Sequence, residues 1–285
     1  KNKKNIECIK GDIRDKKLFN NSIQGQEIII HLACISNDPS FELNPDLGKS
    51  INLNAFEPIV KISKNSGVKK FIYASSSSVY GVKDVSDVHE GMGLEPLTDY
   101  SRFKVDCEKI LNQYTDKDFC GVTIRPATVC GYSKRQRLDV IVNILTNIGF
   151  HKREITVFGG KQLRPNIHIK DMIRAYKVLI EAPNDLVAGE IFNAGWENRT
   201  VNDIADMVKN ELGDDIKIKF TKTDDNRSYH ISSKKIKDIL NFQAEFTIQD
   251  AIKDLKNAFE EKLLNNPLNN PDYFNIKKMQ KINLS

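Results

Sequence analysis

Short apolar runs rich in β-branched and aromatic residues alternate along this chain with longer stretches whose apolar positions recur at helical spacing. Residues 6–13 (IECIKGDI) read as a strand running into an acidic loop, 15–24 as a helix, and 27–32 as a second strand. A helix is expected from about 45 to 66. Residues 71–73 then form a buried parallel strand whose carboxyl end opens into four serines. Thr98 or Asp99 can cap the next helix, which places Phe103, Cys107, Ile110 and Leu111 on one apolar face. Farther on, GVTIRPATVCGY repeats the strand-to-loop pattern, and residues 200–213 give a plain amphipathic helix through Ile204, Met207, Val208 and Leu212. Past Lys262 the chain is polar and loop-like, with no element assigned. Strands alternating with helices make this an α/β protein.

Tyr100 and Lys104 lie four residues apart on the helix that follows the serines, so their side chains share a face. A phenol is a poor base near pH 7 because its unperturbed pKa is about 10, and a neighbouring ammonium favours the phenolate. A serine at the preceding strand end holds a substrate oxygen against the phenol by a second hydrogen bond. Such a pair also occurs on any solvated helix face. The Ser-rich strand end before it is what turns the spacing into chemistry.

Composition narrows the class. Over 285 residues, 43 basic and 38 acidic side chains leave a net charge of only +5, with the lysines dispersed, which gives nucleic-acid binding little support. No apolar run has the length of a membrane span. Five widely spaced cysteines without a C-x-x-C read as reduced thiols of a cytoplasmic protein. At 40% apolar content the chain can bury a substantial core, as one large domain or as a large and a small one.

The run YASSSSVYG, followed by Tyr100 and Lys104, resembles the extended short-chain dehydrogenase/reductase family of NAD-dependent nucleotide-sugar epimerases and dehydratases. The resemblance implies a doubly wound, Rossmann-like parallel sheet over residues 1–130 and a smaller, mixed substrate-binding part over 131–285 that returns strands to the sheet. It implies catalytic roles for Ser76, Tyr100 and Lys104. NAD would meet Asp12, Ile13, Leu32, Ala33, Cys34 and Pro126 as well as Tyr100 and Lys104, with Cys34 in place of a family Ala. The nucleotide sugar would meet Ser76, Thr128, Arg164 and Arg227; Thr128 replaces the family Asn and has a shorter reach. Asn52 stands where the family places a residue bracing the active-site strands, and His31 is expected to be structural. No metal site is implied. A homodimer is.

The family's first strand, its glycine-rich phosphate turn and its second strand belong before Ile6, and no later stretch supplies them. The chain is therefore expected to be an amino-terminally truncated fragment, with a hole in mid-sheet and unpaired strand edges. As a fragment it would be inactive for want of a phosphate loop. Dehydratases of the family carry an Asp-Glu pair directly after the catalytic Ser or Thr; here those positions are Ser77 and Ser78. The expected reaction is 4-epimerisation through a 4-keto sugar, with a ketoreductase or dehydrogenase of nucleotide sugars as the alternative.

Overall fold

A computed structural model describes residues 6–85, 87–223 and 228–282. In chain order its helices are α1 (Lys16–Ser22), α2 (Asp38–Phe41), α3 (Pro45–Lys49), α4 (Phe56–Asn65), α5 (Asp99–Tyr114), α6 (Ile141–Lys152), α7 (Ile169–Glu181), α8 (Asn184–Val187), α9 (Val201–Leu212), α10 (Lys234–Leu240), α11 (Ile248–Glu260) and α12 (Asn275–Ile282). The strands are β1 (Ile28–His31), β2 (Lys70–Ala74), β3 (Cys120–Pro126), β4 (Thr128–Cys130), β5 (Glu154–Phe158), β6 (Leu163–His168), β7 (Ile191–Ala194), β8 (Glu197–Thr200) and β9 (Lys217–Thr221). Many helices begin where the sequence offers a short polar cap. The side chains of Asp15, Asn37, Asn44, Thr98, Thr200 and Thr247 each accept from a backbone N–H of the first turn.

The principal sheet has the order β1-β2-β3-β7, with every pair parallel. Alternation along β2 shows why helices cover both faces. Phe71 and Tyr73 pack with Phe56, Val60, Cys107 and Leu111 from α4 and α5, whereas Ile72 joins Met172, Ala175 and Leu179 of α7 on the other side. Buried Lys70 is accommodated because its ammonium donates to the carbonyls of Leu179 (2.9 Å), Ile180 (3.1 Å) and Ala182 (2.6 Å), where α7 ends. The second half of the chain returns β7 to this sheet, pairing Thr123 with Ile191. It also builds a three-stranded sheet β4-β6-β8 and a parallel pair β5-β9, packed with α6, α9 and α11 around Val142, Ile155, Ile204 and Ile252.

Three expectations change. Residues 6–12 form no strand and lie exposed, with Ile6 at 74%. In the common doubly wound order 3-2-1-4-5-6 the third strand is not a neighbour of the fourth, so a segment in that place finds no ladder beside β1. The sheet also has no hole in its middle. Its four strands are contiguous, and the open edge is that of β1, where Ile28 and Ile30 are partly exposed. Finally, the helix expected over 45–66 is two α-helices joined by a wider π turn at Ser50–Asn54, and that turn carries Asn52.

Candidate functional site

The carboxyl ends of β1, β2 and β3 open on one side into a cavity of about 460 Å³. Its walls include Ser36, Asn37 and Asp38 after β1, Ser75–Ser78 after β2, Tyr100 on α5, Pro126 at the end of β3 and Thr128 at the start of β4. The opposite wall comes from the second half: Arg135, Arg137 and Asp139 before α6, Arg164 on β6, and Tyr229. Ser76, Tyr100, Pro126, Thr128 and Arg164, which the sequence singles out, therefore line a single space.

Thr98, the expected cap, accepts from the Ser101 N–H and sets the rotation of α5. Tyr100 and Lys104 point to the sheet, and the Lys104 ammonium lies 5.7 Å from the Tyr100 ring centroid and 4.9 Å from that of Tyr73. It donates to the Ala74 carbonyl at 2.6 Å. Burial lowers the Lys104 pKa, but Cys34, Tyr100, Cys107 and Glu108 together outweigh burial and raise it, so the side chain is a cation. For Tyr100 the balance falls the other way. Burial lifts the phenol above its usual value, and Lys104 only partly offsets this. The expected shift toward neutral pH is thus absent from the protein alone, because desolvation outweighs one ammonium.

The serines behind the cavity form a chain of hydroxyls. Ser76 Oγ and Ser78 Oγ are 2.9 Å apart, Ser101 Oγ donates to Ser78 Oγ at 2.8 Å, Thr98 Oγ1 lies 3.1 Å from Ser101 Oγ, and Thr98 Oγ1 donates to Asp38 at 2.5 Å. One residue upstream, Ser75 donates to Glu108, the next residue on the Tyr100–Lys104 face of α5. Glu108 grips Arg125 of β3 through Nε (3.0 Å) and a terminal nitrogen (2.6 Å); Arg125 donates to Tyr80 at 2.8 Å, and Tyr80 to Asn193 of β7 at 2.7 Å. This buried network ties α5 to the ends of β2, β3 and β7. Asn52 closes both backbone groups of Ile35, accepting from its N–H at 2.8 Å and donating to its carbonyl at 2.9 Å, and so braces the loop after β1.

The other sequence-predicted residues lie elsewhere. Asp12 is bound by Arg14, whose hydrogen bonds hold its carboxyl below the usual range. Ile13 lines a separate cavity of about 130 Å³ against α4. Leu32 (58% exposed) and Ala33 lie on the surface after β1, and Cys34 is half-buried within electrostatic reach of Tyr100 and Lys104. Arg227 falls outside the described residues. His31 is packed between Phe56, Phe71 and Tyr73, and burial pushes its pKa down to about 3. Among the described residues no His/Cys/Asp/Glu cluster could hold a metal, and no helix is long and apolar enough to cross a membrane.

Sequence reasoning passed over Asp38, Glu108, Arg135, Arg137, Asp139 and Tyr229. The run RQRLD at 135–139, with two arginines and an aspartate at alternate positions, was the signal available for one wall.

A family model described as the NAD dependent epimerase/dehydratase family matches residues 1–195. The uncharacterized UDP-glucose epimerase YtcB of Bacillus subtilis is 30% identical over 184 residues, 62% of this chain and 55% of that protein. The matched stretch thus spans about half the length of such curated relatives. Among solved structures, the UDP-glucose 4-epimerase of Thermotoga maritima with UDP-glucose has a TM-score of 0.82 at 22% identity, covering 92% of this chain and 86% of that one. The UDP-glucuronic acid 4-epimerase of Bacillus cereus, in complex with UDP-glucuronic acid and NAD, has a TM-score of 0.79 at 24% identity, covering 89% and 81%. Those two likenesses establish the Rossmann-type fold. By the match over residues 1–195, this chain belongs to the NAD dependent epimerase/dehydratase family.

Proposed function

We propose that the chain is an NAD-dependent epimerase of a nucleotide-activated sugar, inverting carbon 4 through a 4-keto sugar, with its cofactor side in residues 1–130 and its substrate side in 131–285. The observation that carries this reading is the meeting of Ser76 and Tyr100 in one cavity with the Lys104 cation directly behind the phenol.

The residues present fit the nicotinamide end of the cofactor. Lys104 spends one of its three N–H donors on Ala74, and Tyr100 lines the cavity. For the pyrophosphate, no described strand leads through a glycine-rich turn into a helix. Bound NAD supplies a hydride acceptor for the sugar carbon, a donor for the return step, and a positive ring that adds to the pull of Lys104 on the phenol. Tyr100 as phenolate takes the proton of the sugar hydroxyl, and Ser76 holds the oxygen in line. When the ketone turns over, the same pair returns the proton from the other side of the ring. Arg164, Arg135 and Arg137 supply the positive wall for a diphosphate.

Ser77 and Ser78 favour epimerisation over dehydration. Ser77 is buried and Ser78 is enclosed in the hydroxyl chain, so neither offers the extra acid and base that elimination requires. The test incubates the chain with NAD and UDP-, GDP-, CDP- and dTDP-sugars and follows products by NMR. A 4-epimer without net NADH is expected. A 4-keto-6-deoxy sugar would overturn the reading, and net reduction of a supplied keto sugar would replace it by a ketoreductase.

A further inference from the structure

The segment past Lys262, which the sequence leaves as a polar loop, is folded onto both walls of the cavity. Tyr273 and Phe274 pack with Leu138, Leu255, Phe259 and Leu264, and the Tyr273 carbonyl accepts from the Leu138 N–H at 2.8 Å. At the start of α12, Asn275 is hydrogen-bonded to opposite walls. Its backbone N–H donates to Asp139 Oδ2 at 2.8 Å, and its side-chain amide donates to Ser36 Oγ at 2.9 Å. Met279, one turn on, packs into the cluster of Ile35, Phe41, Leu47 and Tyr100.

Asp139 is the link to the chemistry. Its other oxygen accepts from Arg137 Nε at 2.5 Å, while the terminal nitrogens of Arg137 make no hydrogen bond among the described residues. A carboxylate held on both oxygens cannot rotate, so it fixes the plane of the guanidinium it binds. We propose that this carboxy-terminal segment is a clasp in which Asn275 positions Asp139, and Asp139 positions Arg137 toward the anionic, phosphate-bearing part of the substrate. The inference rests on the reading of the cavity as a nucleotide-sugar site. Asn275 is a positioning residue: it reaches the ligand only through Asp139 and Arg137.

Two substitutions separate the bonds. Asn275→Gly keeps the backbone donor to Asp139 and loses the bond to Ser36; Asn275→Pro loses both, at a first-turn helix position that tolerates proline. Binding of UDP, GDP, CDP and dTDP is measured in turn by calorimetry on the full chain, with circular dichroism confirming the fold. Tryptic cleavage at Arg135 and Arg137 is timed without nucleotide. Asn275→Pro is expected to weaken the nucleotide that binds by about tenfold and to hasten cleavage in this loop severalfold, with Asn275→Gly within about twofold of the unsubstituted chain in both. A folded Asn275→Pro variant with unchanged cleavage overturns the clasp, as does one with hastened cleavage and unchanged nucleotide affinity. If no nucleotide binds the unsubstituted chain but Asn275→Pro hastens cleavage, the clasp stands and the nucleotide-sugar reading fails.

Discussion

The Lys104 ammonium is hydrogen-bonded to the Ala74 carbonyl at 2.6 Å, so the cation beside Tyr100 is anchored to the last residue of the strand that Ser76 follows. Helix and strand are thereby fixed to one another beside Tyr100 and Ser76.

Replacing that cation tests its electrostatic part. In Lys104→Met the group that lowers the Tyr100 pKa is gone, while the burial that raises it remains. In the proposed reaction the phenolate is the working base, so its fraction at pH 7 falls and the rising limb of the pH–rate profile moves to higher pH. Turnover at neutral pH should drop about a hundredfold or more and recover partly in alkali. Steady-state kinetics from pH 6 to 10 checks this, and an unshifted limb would remove Lys104 from the role.

Glu108 and Arg125 test the scaffold. The guanidinium is 2% exposed and its carboxylate partner 5%, so Glu108→Leu strands a buried cation and also releases Ser75. A loss of about 3–5 kcal/mol in unfolding free energy is expected, with much of it regained in Glu108→Leu/Arg125→Met because no charge is then left unpaired. Urea unfolding of the single and double variants measures the difference. A double variant no more stable than Glu108→Leu alone would show that the hydrogen bonds to Ser75 and Tyr80, rather than the charge pair, hold these strands.

What was legible in the sequence follows a physical rule. Tyr100 and Lys104 are four apart on one helix, which local periodicity carries, whereas Ser76 and Asn52 were legible only through the family resemblance of the segments that hold them. Residues 6–13 have the pattern of a strand and yet form none, because a strand exists only with a ladder partner. The wall at Arg135–Asp139 and the clasp of α12 were hidden for a related reason. Asn275 meets Ser36 across 239 positions and Asp139 across 136, pairings that only the completed fold creates.

His31 predicts a pH dependence of stability. Its pKa is lowered from the ordinary 6.5 to about 3 by burial, so the folded chain keeps it neutral while the unfolded chain takes up a proton below pH 6.5. Its contribution is whole above that pH and is progressively lost down to about pH 3, amounting to about 2 kcal/mol at pH 5. In His31→Phe this part of the acid sensitivity should vanish. Thermal unfolding of both chains at pH 7 and pH 5 checks it: the gap between the two pH values should narrow in the variant, and an equal gap would assign the sensitivity to other groups.

The hydroxyl chain from Ser76 to Asp38 makes the last prediction. In the proposed site Ser76 faces the sugar only while Ser78 occupies the other side of its oxygen, and Ser78 is held in turn by Ser101. The Thr98 proton goes to Asp38, and the single Ser101 proton goes to Ser78. Ser78→Ala should lower kcat about tenfold with KM nearly unchanged, since one hydrogen bond to an uncharged partner contributes on the order of 1 kcal/mol and only orientation in the transition state is lost. Ser101→Ala should do the same. Because the two hydroxyls act in series, the double variant should lose little more than either single one, a coupling that independent side chains would not show. Kinetics of the three variants decides it: fully additive losses would mean that Ser78 and Ser101 act separately, and that the chain of hydroxyls does not position Ser76.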